Sequence, residues 1–261
     1  MILQSLVDYY EILEQSGNIS RPGYSRADVS FALELSRSGE LSAVIPLKQT
    51  VQRGKKTVEI PQSMEVPEQK KRSSGVTANF LCDNAVYTLG IAEKKEEKKG
   101  TVDDSNPGQA GEDTIDLAGS STNAAEDKPY RTDKRTGECF KSYRELHHTI
   151  LDGVDSIAAG AILTFLDKWE PEKAGDVSAA ASHLKELTKG RNIIFSVEGK
   201  YAQNDPDIRQ AWEAYRAGET DGKKMQCLIT GKTAPIARLH PSIKKIRGGQ
   251  PSGVSLVSFN D

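Results

Sequence analysis

The chain of 261 residues is long enough for one large domain or two small ones. Its hydrophobic fraction of 36% and charged fraction of 28% predict a soluble protein with a core and some solvated stretches. The three cysteines are widely spaced, which argues against a disulfide framework. Acidic residues near the N-terminus argue against a signal peptide, and the lack of a long apolar run argues against a membrane span. We therefore expect a cytoplasmic protein.

The formal net charge of −2 is the sum of separated patches of opposite sign. Residues 48–72 carry seven basic and three acidic side chains, and residues 103–127 carry seven acidic and no basic ones. Residues 223–250 carry seven basic and no acidic side chains. An anionic partner responds to such local patches rather than to the total charge, so the distribution keeps nucleic acid among the partner classes.

The N-terminal part of the chain predicts one helix followed by strands. Apolar residues at three- and four-residue spacing predict a helix from Ile2 to Leu13, with a stop at Gly17. After a turn at Arg21–Arg26, the predicted strands are Val29–Leu35, its antiparallel partner Leu41–Leu47, and a short strand Thr57–Ile60 closed by Pro61. The apolar segment Val76–Ile91 has a mixed period, which favours a strand at its start.

The composition then changes sharply. Glu93–Pro129 has almost nothing to bury, which predicts a disordered acidic insertion. Beyond it, helical spacing returns, and the predicted helices are Phe140–Leu151, Ile157–Trp169, Ser178–Lys189 and Asp207–Ala217. The predicted strands are Asn192–Val197, Met225–Thr230 and Gly253–Phe259.

Strands at both ends and helices in the middle predict an α+β fold with mixed or antiparallel sheet elements. We divide the sequence into an N-terminal α+β region (1–92), the disordered insertion (93–129), and a helical section with a basic loop and strands (130–261). The apolar residues Leu256, Val257 and Phe259 lie almost at the terminus. A strand there needs a neighbour and a continuation, so we expect the chain to be cut from a larger protein.

The sequence contains only weak matches to the motifs of enzymes. Gly231-Lys232-Thr233 matches the tail of a phosphate-binding P-loop, but the required upstream glycine is Gln226, and Pro241 would end a helix that begins at Lys232. Cys227 resembles half of a zinc knuckle, and a buried free cysteine on a strand is the better interpretation.

The histidines are no stronger as a metal site. His148 and Asp152 could share a helix face, but two ligands do not make a zinc site, so we expect His148 to be a helix-surface histidine. We therefore predict no enzyme, no cofactor and no metal.

Two segments are better candidates for binding. In Lys70–Asn84, a basic triplet stands next to small hydroxyls and a glycine, a combination that suits phosphates. Asn79 and Asn84 offer the paired donors and acceptors that read base edges. The alternative is a solvated turn in which the asparagines act as caps, and the pattern alone does not decide between the two.

In Lys223–Gln250, cations alternate with small apolar residues and no acid compensates them. A nucleic-acid backbone would supply the counter-charge and release its own counterions. The alternative is pairing in space with acidic residues such as those of the insertion.

At these residues the sequence resembles a known family. The blocks are MILQSLVDYYEIL, RPGYSR with VSFALEL, SSGVTANFLCDNAVYTLG, and QCLITGKTAPIARLHPSIKKIRGGQPSGVSLVSFN. They are similar to the N-terminal half of the large subunit of the type I-C CRISPR surveillance complex, Cascade. Two departures stand out: the acidic insertion is expanded, and the C-terminal helical region of the family is missing.

The resemblance implies a non-catalytic DNA-binding subunit. Such subunits recognise a short protospacer-adjacent motif (PAM) in double-stranded DNA, support duplex opening into an R-loop, and recruit a helicase-nuclease, while the guide RNA reads the remaining sequence. The implied partners are target DNA, guide RNA, other Cascade subunits, the helicase-nuclease and a phage anti-CRISPR protein. The implied motif readers are Ser73, Ser74, Asn79 and Asn84. The implied backbone contacts are Lys70, Lys71, Arg72, Lys232, Arg238, Lys244, Lys245, Arg247 and Gln250.

Two other hypotheses remain open. The chain could be a protein-interaction fragment of the same complex, which docks other subunits or a phage inhibitor and binds little DNA. It could also be an enzyme that uses a nucleotide through Lys232 or a metal through its histidines.

Overall fold

The computed structural model describes residues 2–17, 19–54, 56–70, 72, 75–94, 128–219, 224–227, 229–235, 247–250 and 253–254. The chain divides into two compact units. The sheet unit is Pro22–Trp212, and the terminal unit is Met1–Arg21 together with Glu213–Asp261. The three predicted regions follow chain order, whereas the sheet unit contains residues from both sides of the insertion.

The helices and strands have the following bounds. The helices are α1 Ile2–Gln15, α2 Ala85–Thr88, α3 Lys134–Leu151, α4 Ile157–Lys168, α5 Ser178–Ala181, α6 Leu184–Leu187 and α7 Pro206–Glu219. The strands are β1 Tyr24–Leu35, β2 Leu41–Pro46, β3 Lys48–Arg53, β4 Lys56–Pro67, β5 Asp83–Asn84, β6 Ala92–Glu93, β7 Tyr130–Arg131, β8 Asn192–Val197, β9 Lys200–Tyr201, β10 Lys224–Gln226 and β11 Thr233–Pro235. Short 3-10 helices lie at Pro171–Lys173 and Ala202–Asn204.

Seven strands form a mixed sheet in the order β3-β4-β1-β8-β5, with β2 paired to β1 and β9 paired to β8. The β1–β8 pair is parallel, and the other pairs in this sheet are antiparallel. The long strand β1 has two neighbours along one edge, because β4 pairs with Tyr24–Val29 and β2 with Phe31–Leu35. The predicted α+β class and the predicted β1–β2 pair are confirmed.

The core lies on both faces of this sheet. On one face, Ile194 of β8 packs in a cluster with Val29 and Cys82. On the other, Phe195 stands edge-on to Phe165 of α4, with the ring centroids 5.8 Å apart. A strand that is covered on both faces has a continuous apolar run in its sequence, which is why β8 was predictable.

Side-chain caps determine where the central helices begin. The Asp133 carboxylate accepts a hydrogen bond from the Thr136 N–H (2.8 Å), and the Thr136 hydroxyl accepts one from the Asp133 N–H (2.9 Å), which makes a capping box at the start of α3. The Ser156 hydroxyl accepts from two N–H groups at the start of α4. Helices α3, α4 and α7 confirm the prediction, whereas the predicted helix Ser178–Lys189 is divided into α5 and α6.

Two strand predictions are wrong. Strand β4 continues through Pro61, because its residues 56–61 pair with β3 and its residues 62–67 pair with β1. Pro61 lies where the strand changes neighbour, a position at which a missing N–H interrupts no ladder. The start of Val76–Ile91 is irregular rather than a strand, and buried Leu81 within it has a φ of +56° that a regular strand does not hold.

The two ends of the predicted insertion are neighbours. Strands β6 and β7 pair through Ala92 with Arg131 and Glu93 with Tyr130. The Tyr130 hydroxyl donates to the carbonyl of Glu172 (3.0 Å) and accepts from the N–H of Gly175 (3.1 Å). Residues 95–127 of the predicted insertion lie outside the described residues.

The terminal unit contains the predicted N-terminal helix and a short hairpin. Helix α1 ends before Gly17, whose φ of +70° suits the predicted stop. Strands β10 and β11 pair in an antiparallel hairpin. The predicted strand Met225–Thr230 is shorter than expected, because the chain already turns at Ile229–Thr230. Most of the predicted strand Gly253–Phe259 lies outside the described residues.

Candidate nucleic-acid interface

The described part of the segment from Lys70 to Asn84 is irregular up to Cys82, ends in β5, and is tied together by its own side chains. It follows β4, and the N–H of Lys70 donates to the Oδ1 atom of Asn79 (2.9 Å). Asn79 is only 7% exposed. One buried amide therefore joins Lys70 to Asn79, nine residues further along the chain.

A buried carboxylate makes the second tie. Asp83 is 1% exposed and accepts hydrogen bonds from the N–H groups of Asn79 (2.9 Å) and Asn84 (2.8 Å). The Arg72 guanidinium forms an ion pair with it and lies 3.8 Å from the centroid of the Tyr87 ring. Burial raises the pKa of Asp83, while Arg72 and the two N–H groups lower it.

Between these ties the loop is held at two further points. Gly75 has a φ of +81°, a conformation that favours glycine, and its carbonyl accepts from the Arg135 guanidinium of α3 (3.3 Å). The Arg72 guanidinium also donates to the Thr77 carbonyl. Of the candidate residues in this stretch, Lys71, Ser73 and Ser74 lie outside the described residues.

A buried histidine supports the far side of the loop. The N–H of Leu81, a residue in the left-handed region, donates to the Nε2 atom of His147 (3.1 Å). The Nδ1 atom of His147 hydrogen-bonds the carbonyl of Tyr143 (2.8 Å). Burial lowers the pKa of His147 to about 3, so the ring is neutral at pH 7 and can accept at Nε2. The long-range contact with Leu81 lies at a histidine that is fully buried on the apolar side of α3.

Both asparagine candidates have structural partners. The Oδ1 atom of Asn79 accepts from Lys70, and the Oδ1 atom of Asn84 accepts from the Val86 N–H (3.1 Å) and caps α2. This geometry corresponds to the alternative in which the asparagines act as caps. Base contact by these two residues stays a prediction.

The second predicted segment is only partly described. Among its backbone-contact candidates, Lys232, Arg247 and Gln250 are exposed. Arg238, Lys244 and Lys245 lie outside the described residues. The described cations therefore agree with a solvated basic surface, and their contact with a nucleic acid stays a prediction.

The hairpin around Lys232 does not have P-loop geometry. Lys232 precedes strand β11, and its carbonyl accepts from the Cys227 N–H (2.9 Å), so no helix begins there. Cys227 is half-buried rather than buried in a strand, which corrects the prediction. Hydrogen bonds from the Thr230 hydroxyl and from the N–H groups of Thr230 and Ile229 lower the pKa of its thiol.

The remaining histidine candidate forms ion pairs. His148 contacts Asp152 through Nδ1 and Asp167 of α4 through Nε2, both at 2.9 Å. The first contact confirms that His148 and Asp152 share a face. Over the residues that the structure describes, no group of three or more His, Cys, Asp or Glu side chains could hold a metal ion.

One cavity of the sheet unit is lined by more carboxylates than cations. It has a volume of about 650 Å³, and its ionisable lining residues are Asp155, Glu198, Lys200, Asp205 and Asp207. The Asp205 carboxylate is used by the fold, since it accepts from the Ser156 hydroxyl (2.9 Å) and from the Asp207 N–H (3.0 Å). Because carboxylates predominate, this cavity does not suit a phosphate.

None of the described helices has the length and apolar character that a membrane crossing requires.

Comparisons with known proteins identify the family. No curated protein shows a significant match to the chain. The sequence model of the family described as CRISPR-associated protein (Cas_Csd1) matches residues 6–261. Because the match covers nearly the whole sequence, the chain belongs to the Cas_Csd1 family of CRISPR-associated proteins.

Proposed function

We propose that the chain is a non-catalytic, DNA-binding part of the large subunit of a type I-C Cascade complex. In this role it recognises the PAM, supports opening of the target duplex and recruits the helicase-nuclease. Family membership and the two basic segments support the proposal. The hairpin geometry around Lys232 gives no support to a nucleotide-dependent enzyme.

The tied loop Lys70–Asn84 is the observation that carries this proposal. Asn79 and Asp83 fix the backbone on either side of the loop end that contains Ser73 and Ser74 in sequence. Residues that read a ligand need such support from a second layer of hydrogen bonds. We infer that Ser73 and Ser74 contact the motif and that Asn79 and Asn84 position the loop.

The basic segment has a different role in the proposal. Lys232, Arg238, Lys244, Lys245, Arg247 and Gln250 hold the backbone of target DNA or guide RNA. Such contacts release counterions and carry no sequence information. Lys70 and Lys71 add backbone contacts beside the motif. Arg72 joins them only if the nucleic acid displaces Asp83 from its guanidinium.

The test separates motif reading from backbone binding. Binding is measured by mobility shift on a library of duplexes that differ in the motif, at several salt concentrations. We expect Ser73→Ala with Ser74→Ala to flatten the preference among motifs, whereas Lys244→Glu with Lys245→Glu weakens binding to every duplex and lowers the salt slope. The matched control is Lys141→Glu with Lys168→Glu, which changes the charge equally on exposed helical positions. Binding that does not depend on salt contradicts the proposal.

A second function has its own observation. Helix α1 exposes large apolar side chains, since Leu6 is 49%, Tyr9 58% and Ile12 61% exposed. Such a patch favours a protein partner, which could be another Cascade subunit or a phage anti-CRISPR protein. Pull-downs with the other subunits that survive high salt, together with no duplex binding, would favour this interaction role over the first proposal.

A further inference from the structure

Strands β3 and β4 form a two-stranded ribbon that leaves the sheet beside Ser30 of β1. Val29 pairs with Gln62 of β4 and Phe31 with Pro46 of β2, so the neighbour of β1 changes at Ser30. On the opposite edge, the register between β1 and β8 shifts between Val29 and Phe31, which makes Ser30 a β-bulge. Bulges redirect side chains and are frequent beside functional sites.

A cleft of about 190 Å³ opens at this bulge, and Ser30 lines it. Ser30 is 3% exposed, and its hydroxyl has no hydrogen-bond partner in the part of the chain that the structure describes. A buried hydroxyl without a partner is costly, and a water, an ion or a ligand is one of the ways in which a native fold satisfies such a group.

The charges around the cleft suit an anion. Lys48 is paired with Glu59 at 3.3 Å, so the two charges largely cancel. Lys189 and Arg191 are exposed, and neither forms an ion pair with any described residue. The carboxylate of Glu186 also lines the cleft, which leaves three cations against two carboxylates. Hydroxyl, ammonium and guanidinium groups together are the donor set that binds a phosphate oxygen.

The β3–β4 ribbon begins at the cleft, where Lys48 and Pro61 line it, and extends away from it. Lys48–Arg53 pairs with Lys56–Pro61 along its full length. At about 3.4 Å per residue, the ribbon extends about 17 Å, close to the rise of five base pairs. The face that carries Lys48 and Pro61, both of which line the cleft, continues with Thr50, Gln52, Thr57 and Glu59. In sequence, three of the four residues from 53 to 56 are basic: Arg53, Lys55 and Lys56.

We propose that this cleft and the β3–β4 ribbon form a further contact with duplex DNA. Ser30, Lys189 and Arg191 hold one backbone phosphate, and the polar face of the ribbon lies along the duplex. A two-stranded ribbon has the width that the major groove admits. The inference rests on the proposed function, because both require duplex binding, but it adds a surface outside Lys70–Asn84 and Lys223–Gln250.

The first test neutralises the two unpaired cations. Duplex affinity of the full chain is measured against salt concentration for the wild type and for Lys189→Gln with Arg191→Gln. The matched control is Lys141→Gln with Lys168→Gln, whose exposed side chains do not line the cleft. Loss of this one phosphate contact reduces the slope of log affinity against log salt by roughly 0.9, and the control leaves the slope unchanged.

The second test removes the buried hydroxyl. Because the Ser30 hydroxyl is buried without a partner in the described fold, Ser30→Ala should not lower the melting temperature and is expected to raise it slightly. It should lower duplex affinity by roughly two- to tenfold, the contribution of one hydrogen bond. In a competition assay, the protein is bound to a labelled duplex, and unlabelled duplex, inorganic phosphate and a poly-glutamate peptide are added separately as competitors. At equal concentration of negative charge, the unlabelled duplex should displace far more protein than phosphate or poly-glutamate does.

The outcomes distinguish the two proposals. If the wild type shows no salt-dependent duplex binding, the proposed function fails and this inference fails with it. If the wild type binds but the cleft variants keep its slope and affinity, only this inference is overturned. Equal competition by poly-glutamate, or phosphate binding in the cleft without an effect on duplex affinity, also overturns it.

Discussion

Replacing Arg72 with methionine removes the charged partner of a buried carboxylate and keeps much of the side-chain length. The Asp83 side chain is 2% exposed, and breaking a buried pair on one side costs about 3–5 kcal/mol. Asp83 would keep its hydrogen bonds from the Asn79 and Asn84 N–H groups, which limits the loss. The lost contact with the Tyr87 ring adds about 0.5–1 kcal/mol. We expect Arg72→Met to lower the free energy of unfolding by about 3–4 kcal/mol at pH 8.

The same substitution makes stability depend on pH in a defined direction. Burial raises the pKa of Asp83, and Arg72 opposes that rise, so its removal raises the pKa further. A carboxyl whose pKa is higher in the folded than in the unfolded protein binds an extra proton on folding as the pH falls through the folded pKa. The variant therefore regains stability as the pH falls, and its deficit relative to the wild type should be smaller at pH 5 than at pH 8.

Urea unfolding at both pH values measures this deficit. Lys141→Met is the control, because an exposed pair with Glu145 at 3.8 Å should contribute at most about 0.5 kcal/mol. If Arg72→Met has the same free energy of unfolding as the wild type, the buried ion pair with Asp83 does not stabilise the fold. Arg72 would then be available as a phosphate anchor. A deficit that is equal at pH 5 and pH 8 would refute the assignment of the cost to the ionised Asp83.

Two further predictions concern the histidines. Hydrogen bonds to Asp167 and Asp152 raise the pKa of His148, so its NMR titration midpoint should lie above 6.5 and should fall in Asp167→Asn. Because the pKa of His148 is raised in the folded protein, its interaction with the two carboxylates stabilises the fold at low pH, and this stabilisation is lost as the pH rises through the folded pKa. A stability difference between wild type and Asp167→Asn that does not vary with pH would contradict this reasoning. The pKa of His147 is about 3, so its ring resonances should not titrate between pH 8 and pH 5. His147→Phe leaves the Leu81 N–H without its acceptor and should cost about 1–3 kcal/mol, measured by denaturant unfolding, and an unchanged midpoint would argue against that hydrogen bond.

The elements that could be predicted from sequence have strong periodic patterns. Helix α3 has apolar residues at three- and four-residue spacing, and β8 has an unbroken apolar run, so their existence follows from local sequence. Pro61 misled the prediction, because the effect of a proline depends on which neighbour its strand has at that point. That neighbour is set by tertiary pairing.

Parts of the candidate site depend on contacts between distant residues. His147 continues the apolar stripe of α3 beside Tyr143 and Leu151, and this spacing was a usable sign that it is buried. Its hydrogen bond to Leu81 could not be read from sequence. The bulge at Ser30 is equally hidden, because it exists only in the register between β1 and a strand from the far side of the insertion.

The β6–β7 pair has a consequence for the length of the chain. Since Ala92–Glu93 and Tyr130–Arg131 meet side by side, the segment between them starts and finishes at one place on the sheet unit. The entropy of bringing the ends of a flexible segment together grows only with the logarithm of its length, about 0.6 kcal/mol for each doubling. Strands β1 and β8 come from opposite sides of this segment and pair without any residue of it, so we expect their register to tolerate a change in its length. This position can therefore accept added or removed residues, including a fluorescent or affinity tag, without a change in the sheet that carries the candidate interface.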